Sequence, residues 1–172
     1  MESQKLSPGK FALNYGLILG LLMIVIAVIT YVTGMALELK QWPQWIYYIV
    51  FPVTIFYVIS KYKKSNGNIL SLGEAIKIGL VIGLISALVY AVYGLIFNYL
   101  IDPEFMSQIM EATRDKLLEN PNLSEDIVDK QLEMMEKFMN PVVGTAIWIA
   151  LSALFGLIYS LIGGLIMKKE EE

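Results

Sequence analysis

Four long apolar stretches alternate with shorter polar segments along this chain. The stretches 11–37, 42–60, 78–101 and 141–167 contain no Asp, Glu, Lys or Arg. A helix rises about 1.5 Å per residue, so each stretch reaches about 30 Å, which is the thickness of the hydrocarbon core of a bilayer. The pattern therefore predicts an all-α polytopic membrane protein with four transmembrane helices in a single membrane domain, 1–172.

The segment 102–140, between the third and fourth spans, is the one long polar region. Apolar residues recur there at helical spacing in two runs separated by Asn120-Pro121-Asn122, which predicts a hairpin of two amphipathic helices. The apolar faces can pack on each other, lie on the membrane or dock a partner, and we favour self-packing with partial membrane contact. The stripes are Phe105, Ile109, Ala112 and Lys116/Leu117, then Ile127, Val128, Leu132, Met135, Phe138 and Met139.

Acidic and basic residues are concentrated in different segments of the chain. The hairpin carries ten acids and four bases, a balance of −6, whereas lysines gather in the N-terminal tail, between the second and third spans, and after the fourth span. Short loops rich in Lys and Arg stay in the cytoplasm, so we predict cytoplasmic termini and an extracytoplasmic hairpin. Trp42, Trp45, Tyr47 and Tyr48 are predicted to form an outer aromatic belt, and Tyr57 and Tyr62 an inner one. The lysines are Lys5, Lys10, Lys61, Lys63, Lys64, Lys77, Lys168 and Lys169.

Two helix starts carry capping signals. Ser71-Leu72-Gly73-Glu74 has the spacing of a capping box, in which the serine and glutamate side chains bond each other's backbone N–H. Asn140-Pro141 places a capping side chain before a proline at the first helical position. We therefore expect the third and fourth membrane helices to begin at these points.

Several kinds of chemistry are excluded by residue content. The chain has no Cys and no His, which removes thiolate nucleophiles, disulfides, the commonest general base and the commonest zinc ligand. No ionisable Asp, Glu, Lys or Arg lies in the middle of a span, where proton relays and ion-coupled transporters carry one. The acidic hairpin lacks the spacing of a calcium loop. We predict a non-enzymatic protein with no cofactor, no metal and no nucleic-acid partner.

Small residues recur every four positions in three of the spans. In lipid, such rows allow two helix backbones to approach closely. We favour packing among the four helices of one chain, and the alternatives are a homo-oligomer interface or a permeation path. The rows are Ala12, Gly16 and Gly20; Ala75, Gly79, Gly83, Ala87 and Ala91; and Ser152, Gly156, Ser160 and Gly164.

Four polar residues in apolar surroundings are candidate functional positions: Asn14, Glu74, Lys77 and Asn98. Glu74 is explained by capping and Lys77 by snorkelling to the membrane surface. For Asn98 we favour an interhelical hydrogen bond over a ligand contact. Asn14 and Asn98, with Tyr90 and Tyr93, are also the residues that a solute route would use.

The order of several short motifs resembles the domain of unknown function 4199 family of small bacterial membrane proteins. The motifs are Ser7-Pro8 with Lys10, Ala12-Leu13-x-x-Gly16, Leu72-Gly73-Glu74-Ala75-Ile76-Lys77-x-Gly79, Asp102-Pro103-Glu104-Phe105 and the final Lys168-Lys169. The resemblance covers essentially the whole chain. It implies a bacterial cytoplasmic membrane and supports four spans, and it supplies no activity and no site residue.

These observations favour an accessory or assembly protein that acts through helix and hairpin contacts with the bilayer, a membrane-protein partner or another copy. The alternative is an oligomeric channel or facilitator for a small neutral solute. Four helices alone make a poor conduit, so the alternative requires an oligomer.

Overall fold

The structure, a computed structural model, describes residues 7–169 apart from the side chain of Met139. Lys5 and the final glutamates, 170–172, lie outside this range. The all-α prediction is confirmed, and four helices in the described range are long and apolar enough to cross a membrane. The helices are α1 (Pro8–Val32), α2 (Trp42–Ser65), α3 (Leu72–Ile96, extended by a π-helical segment Phe97–Ile101), α4 (Phe105–Leu118), α5 (Glu125–Met139) and α6 (Pro141–Met167).

The helix boundaries differ from the apolar stretches at several places, and α1 already begins at Pro8. α1 ends at Val32, five residues before the expected end at 37, because Gly34 takes φ +74° and the chain continues in turns. α2 runs on through its lysines to Ser65, where Lys63 and Lys64 in the last turn suit the negative end of the helix dipole. α3 already begins at Leu72, so its helix is longer than the uncharged stretch 78–101.

Both predicted caps are present. The hydroxyl oxygen of Ser71 accepts a hydrogen bond from the Glu74 N–H at 3.2 Å, and the Ser71 N–H donates to Glu74 Oε2 at 2.8 Å. The side-chain oxygen of Asn140 accepts from the N–H groups of Val142 and Val143 at 3.0 and 3.3 Å. These bonds satisfy backbone donors that have no partner within their own helix, and they fix where α3 and α6 begin.

Helix α3 is the centre of the bundle, packed mainly against α6 on one side and α1 on the other, with α2 contacting all three. At the end we call the lysine end, Leu70 and Lys169 form an isolated antiparallel bridge with two backbone hydrogen bonds of 2.9 Å. At the opposite end, which we call the hairpin end, the Tyr31 hydroxyl donates to Asp102 Oδ2 at 2.9 Å. The two ends of the bundle are thus closed by different contacts.

The two short helices contact each other, and Arg114 of α4 pairs with Asp129 of α5 at 3.2 Å. On α5, Val128 and Leu132 are buried, whereas Ile127, Met134, Met135 and Phe138 are exposed. On α4, the predicted apolar stripe is half-buried except for the exposed Lys116. Self-packing therefore covers only part of the apolar surface of the hairpin.

Candidate functional site

The small residues of α3 and α6 bring these two helices into backbone contact. A methyl group added at Gly83 would lie 2.5 Å from the carbonyl oxygen of Ser152, and one added at Gly156 would lie 2.6 Å from that of Gly79. At the lysine end of the same interface, a methyl group on Gly164 would meet the Cβ of Ala75 at 2.8 Å. Ser160, fully buried, packs against Gly79. These glycines and serines are occupied by contacts within one chain.

A second close approach joins α1 to another side of α3. A methyl group at Gly16 would lie 2.9 Å from the Cβ of Ile85, and one at Gly20 would lie 2.7 Å from the Cβ of Val89. Here glycine on α1 accommodates a branched side chain on α3, which is a different arrangement from the contact of α3 with α6. Every residue of the three small-residue rows is buried.

Towards the hairpin end the four long helices separate around a cavity of about 720 Å³. Its wall includes residues from α1, α2, α3 and α6, from the α1–α2 connection, and from α4. We call this space the hairpin-end cavity. Its volume lies within the range of about 300–1,000 Å³ that is usual for small-molecule sites.

One wall of the hairpin-end cavity is a continuous row of aromatic rings. Trp148 of α6 lies 5.2 Å from Tyr47 of α2 and 5.8 Å from Tyr90 of α3, measured between ring centroids. Along α3, Tyr90 is 5.9 Å from Tyr93, and Tyr93 is 5.7 Å from Phe97. These separations are typical of interacting aromatic pairs, so the rings hold one another in place.

The hairpin contributes the outer wall of the same cavity. Phe105, the first residue of α4, sits edge-on to Tyr31 at 5.2 Å and to Phe97 at 5.3 Å, and Met106 and Ile109 also line the space. The N-terminal part of the α4 stripe, Phe105 and Ile109, is therefore directed at the bundle. Neither the cavity nor its closure by α4 was predicted from the sequence.

Two polar atoms in the wall have no hydrogen-bond partner within residues 7–169. They are the side-chain oxygen of Asn98 and the indole nitrogen of Trp148, and both are shielded from water. The Asn98 amide nitrogen donates to the Gly94 carbonyl of its own helix at 2.7 Å, instead of bonding to a neighbouring helix as expected. An unpaired buried polar group costs about 1–3 kcal/mol. The protein alone therefore leaves the hydrogen-bonding capacity of these two atoms unsatisfied.

The lysine end holds a separate polar cluster. Tyr62 is fully buried and its hydroxyl donates to Glu74 Oε1 at 3.0 Å, so the prediction that Tyr62 belongs to an aromatic belt is wrong. Sequence spacing gave no sign of this contact, because the two residues lie on different helices. Lys63 donates to the Met167 carbonyl at 2.8 Å, which ties α2 to the end of α6.

The remaining candidate positions do not join the cavity. Asn14 and Lys77 are exposed on the outside of the bundle, and Glu74 is half-buried at the lysine end. Of the residues expected along a solute route, Tyr90, Tyr93 and Asn98 line the hairpin-end cavity and Asn14 does not. Within the described residues no group of three or more Asp or Glu side chains is placed to hold a metal ion.

Four apolar helices with a cavity between them define a multi-pass α-helical membrane protein. Residues 14–169 match the family described as Protein of unknown function (DUF4199), and the chain belongs to that family. No curated protein and no solved structure matches it. The family resemblance noted in the sequence is confirmed over nearly the whole chain.

Proposed function

We propose that this protein is a non-enzymatic accessory or assembly protein of the bacterial cytoplasmic membrane, which acts through contacts made at its hairpin end. The observation that carries this proposal is the hairpin itself. The start of its α4 stripe packs against the bundle, while part of α5 is uncovered, and Ile127, Met134 and Phe138 are each at least 44% exposed there.

The charges around that uncovered face indicate the chemistry of the partner. Glu125, Asp126 and Glu136 are exposed and form no ion pair within residues 7–169, whereas Glu133 is paired with Lys137 at 3.5 Å. An acidic rim around exposed methionine and phenylalanine suits a partner that presents apolar residues beside basic ones. We therefore propose a membrane protein with a basic extracytoplasmic surface as the partner.

The partner prediction is tested with a photo-crosslinking residue at Met134 in living cells. We expect one discrete protein adduct, which weakens when Glu125, Asp126 and Glu136 are changed to the neutral amides, because the contact depends on opposite charges. A crosslinker at Tyr57, equally exposed but on α2, is the matched control and is expected to give lipid adducts alone. Lipid adducts alone at Met134 would contradict the proposal and place this face on the bilayer.

The proposed orientation places the lysine end in the cytoplasm and the hairpin outside. Because the chain has no cysteine, single cysteines report their own side of the membrane. In intact spheroplasts, we expect a membrane-impermeant maleimide to label Asn122→Cys in the hairpin and to spare Ser65→Cys at the end of α2 until the membrane is permeabilised. The reverse labelling pattern would overturn the topology.

A facilitator for a small neutral solute is the second candidate, favoured by the meeting of Tyr90, Tyr93 and Asn98 in one cavity. Below that cavity the bundle is filled by fully buried side chains, which include Ile55, Ile59 and Ile82. A route through one chain would have to cross this packed layer, so transport requires an oligomer with a path between subunits. A strictly monomeric protein in lipid nanodiscs would exclude this function.

A further inference from the structure

The two unpaired polar atoms lie at different depths of the hairpin-end cavity. The Trp148 ring is a neighbour of Tyr90, with 5.8 Å between the ring centroids. Asn98 follows Tyr90 by eight residues on the same helix, which is about 12 Å along the helix axis. A hydrogen-bond donor therefore lies towards the middle of the bundle and an acceptor near the hairpin, with Tyr93 and Phe97 between them.

The wall around these atoms is mostly apolar and nearly free of charge. Lys40, in the α1–α2 connection, is the one charged residue of the described cavity wall, and it pairs with Glu38 at 3.6 Å. An ionised occupant would lose its hydration without gaining a counter-ion, which is strongly unfavourable. A neutral molecule with polar ends and an apolar middle fits the mostly apolar wall and can reach both unpaired atoms.

We propose that the hairpin-end cavity binds an elongated, neutral amphiphile of drug-like size. Its inner end carries a hydrogen-bond acceptor for the Trp148 N–H, and its outer end carries a donor for the Asn98 side-chain oxygen. Both atoms are buried behind the cavity surface, so the proposal requires that the indole and the amide turn towards the occupant when it binds. The α4 residues Phe105 and Met106 cover it on the outer side. This site is distinct from the exposed face of α5 and does not depend on the proposed partner.

A larger side chain at Gly94 is a way to fill the cavity without disturbing its wall. Gly94 lines the space, and a methyl group added there would meet nothing within 4 Å. We therefore expect a leucine side chain at this position to extend into the cavity. Gly73, at the start of the same helix, is equally free of contacts and lies outside the cavity. Gly94→Leu and Gly73→Leu are thus a matched pair.

The binding experiment uses 1,8-octanediol as the probe and 1-octanol as its one-ended counterpart, with the protein in nanodiscs. Trp148 becomes the sole tryptophan once Trp42 and Trp45 are replaced by Phe, because the chain has three tryptophans, and excitation at the red edge of the indole band avoids the ten tyrosines. We expect a saturable change in Trp148 emission that is tighter for the diol, absent in Gly94→Leu and retained in Gly73→Leu. A non-saturable change, or equal binding in both glycine variants, would overturn the cavity as the binding site.

The role of Asn98 is tested by a second matched pair, Asn98→Leu and Asn14→Leu. Each replaces an amide by an apolar side chain of similar size, but only Asn98 lines the cavity. One hydrogen bond between neutral groups corresponds to about fivefold in affinity. We expect Asn98→Leu to weaken the diol about fivefold and leave 1-octanol unchanged, and Asn14→Leu to change neither. Retained preference for the diol in Asn98→Leu would contradict the assigned role of Asn98.

Discussion

Gly83→Leu is expected to destabilise the folded protein by about 3 kcal/mol, at the upper end of the cost of overpacking a core. The reason is that the first added carbon already lies 2.5 Å from the Ser152 carbonyl oxygen, so α3 and α6 must separate along their shared interface. The measurement is the free energy of unfolding in lipid nanodiscs or mild detergent, together with the oligomeric mass.

Gly73→Leu is the control for this variant, because its side chain meets no neighbour and leucine is a better helix former than glycine. We expect it to be as stable as the wild type or slightly more stable. A wild-type oligomer that dissociates into folded, stable monomers on Gly83→Leu would contradict the prediction. It would show that Gly83 faces a second subunit, and it would support the hypothesis that the protein is an oligomeric facilitator for a solute.

Tyr62→Ala is expected to cost about 3 kcal/mol, the lower end of the range for removing a fully buried aromatic side chain. The loss has two parts. The ring packs edge-on against Phe11 at 5.6 Å, and its hydroxyl holds the Glu74 carboxylate that also caps α3. Thermal unfolding of the purified protein in nanodiscs provides the measurement.

Two further variants separate these contributions. Tyr62→Phe keeps the ring and loses the hydrogen bond to the Glu74 carboxylate, so we expect a cost of about 1.5 kcal/mol, the lower end of the range for a bond to a charged group. Tyr99→Ala removes a tyrosine that is 54% exposed and is expected to be nearly neutral. If Tyr99→Ala proved as harmful as Tyr62→Ala, burial would not be the cause of the loss.

The four membrane helices could be predicted because each contains a long run without charge, and a charged side chain deep in the bilayer is costly. Their ends were less predictable where tertiary contacts decide them. The lysines at the end of α2 continue the helix, since Lys63 reaches the Met167 carbonyl of another helix. The caps at Ser71 and Asn140 were predicted correctly because a cap depends on residues a few positions apart.

The hairpin-end cavity could not be predicted from the sequence, because it is formed by residues from five helices and one connection. Asn98 was a candidate because it is a polar residue in an apolar stretch. Its amide nitrogen bonds within its own helix, however, and not to a neighbouring helix as expected. Trp148 gave one usable signal, since an indole in the middle of an apolar helix brings an N–H group that needs a partner. No property of α4 alone indicated that its apolar stripe closes a cavity.

The order in which the helices leave the ribosome has a consequence for membrane insertion. Helix α3 is complete before residues 102–140 have been synthesised, and α6 follows only after them. Until α6 has been synthesised, Gly79 and Gly83 lack the helix against which they pack in the folded protein. The contact between α3 and α6 therefore forms only after the hairpin residues have left the ribosome.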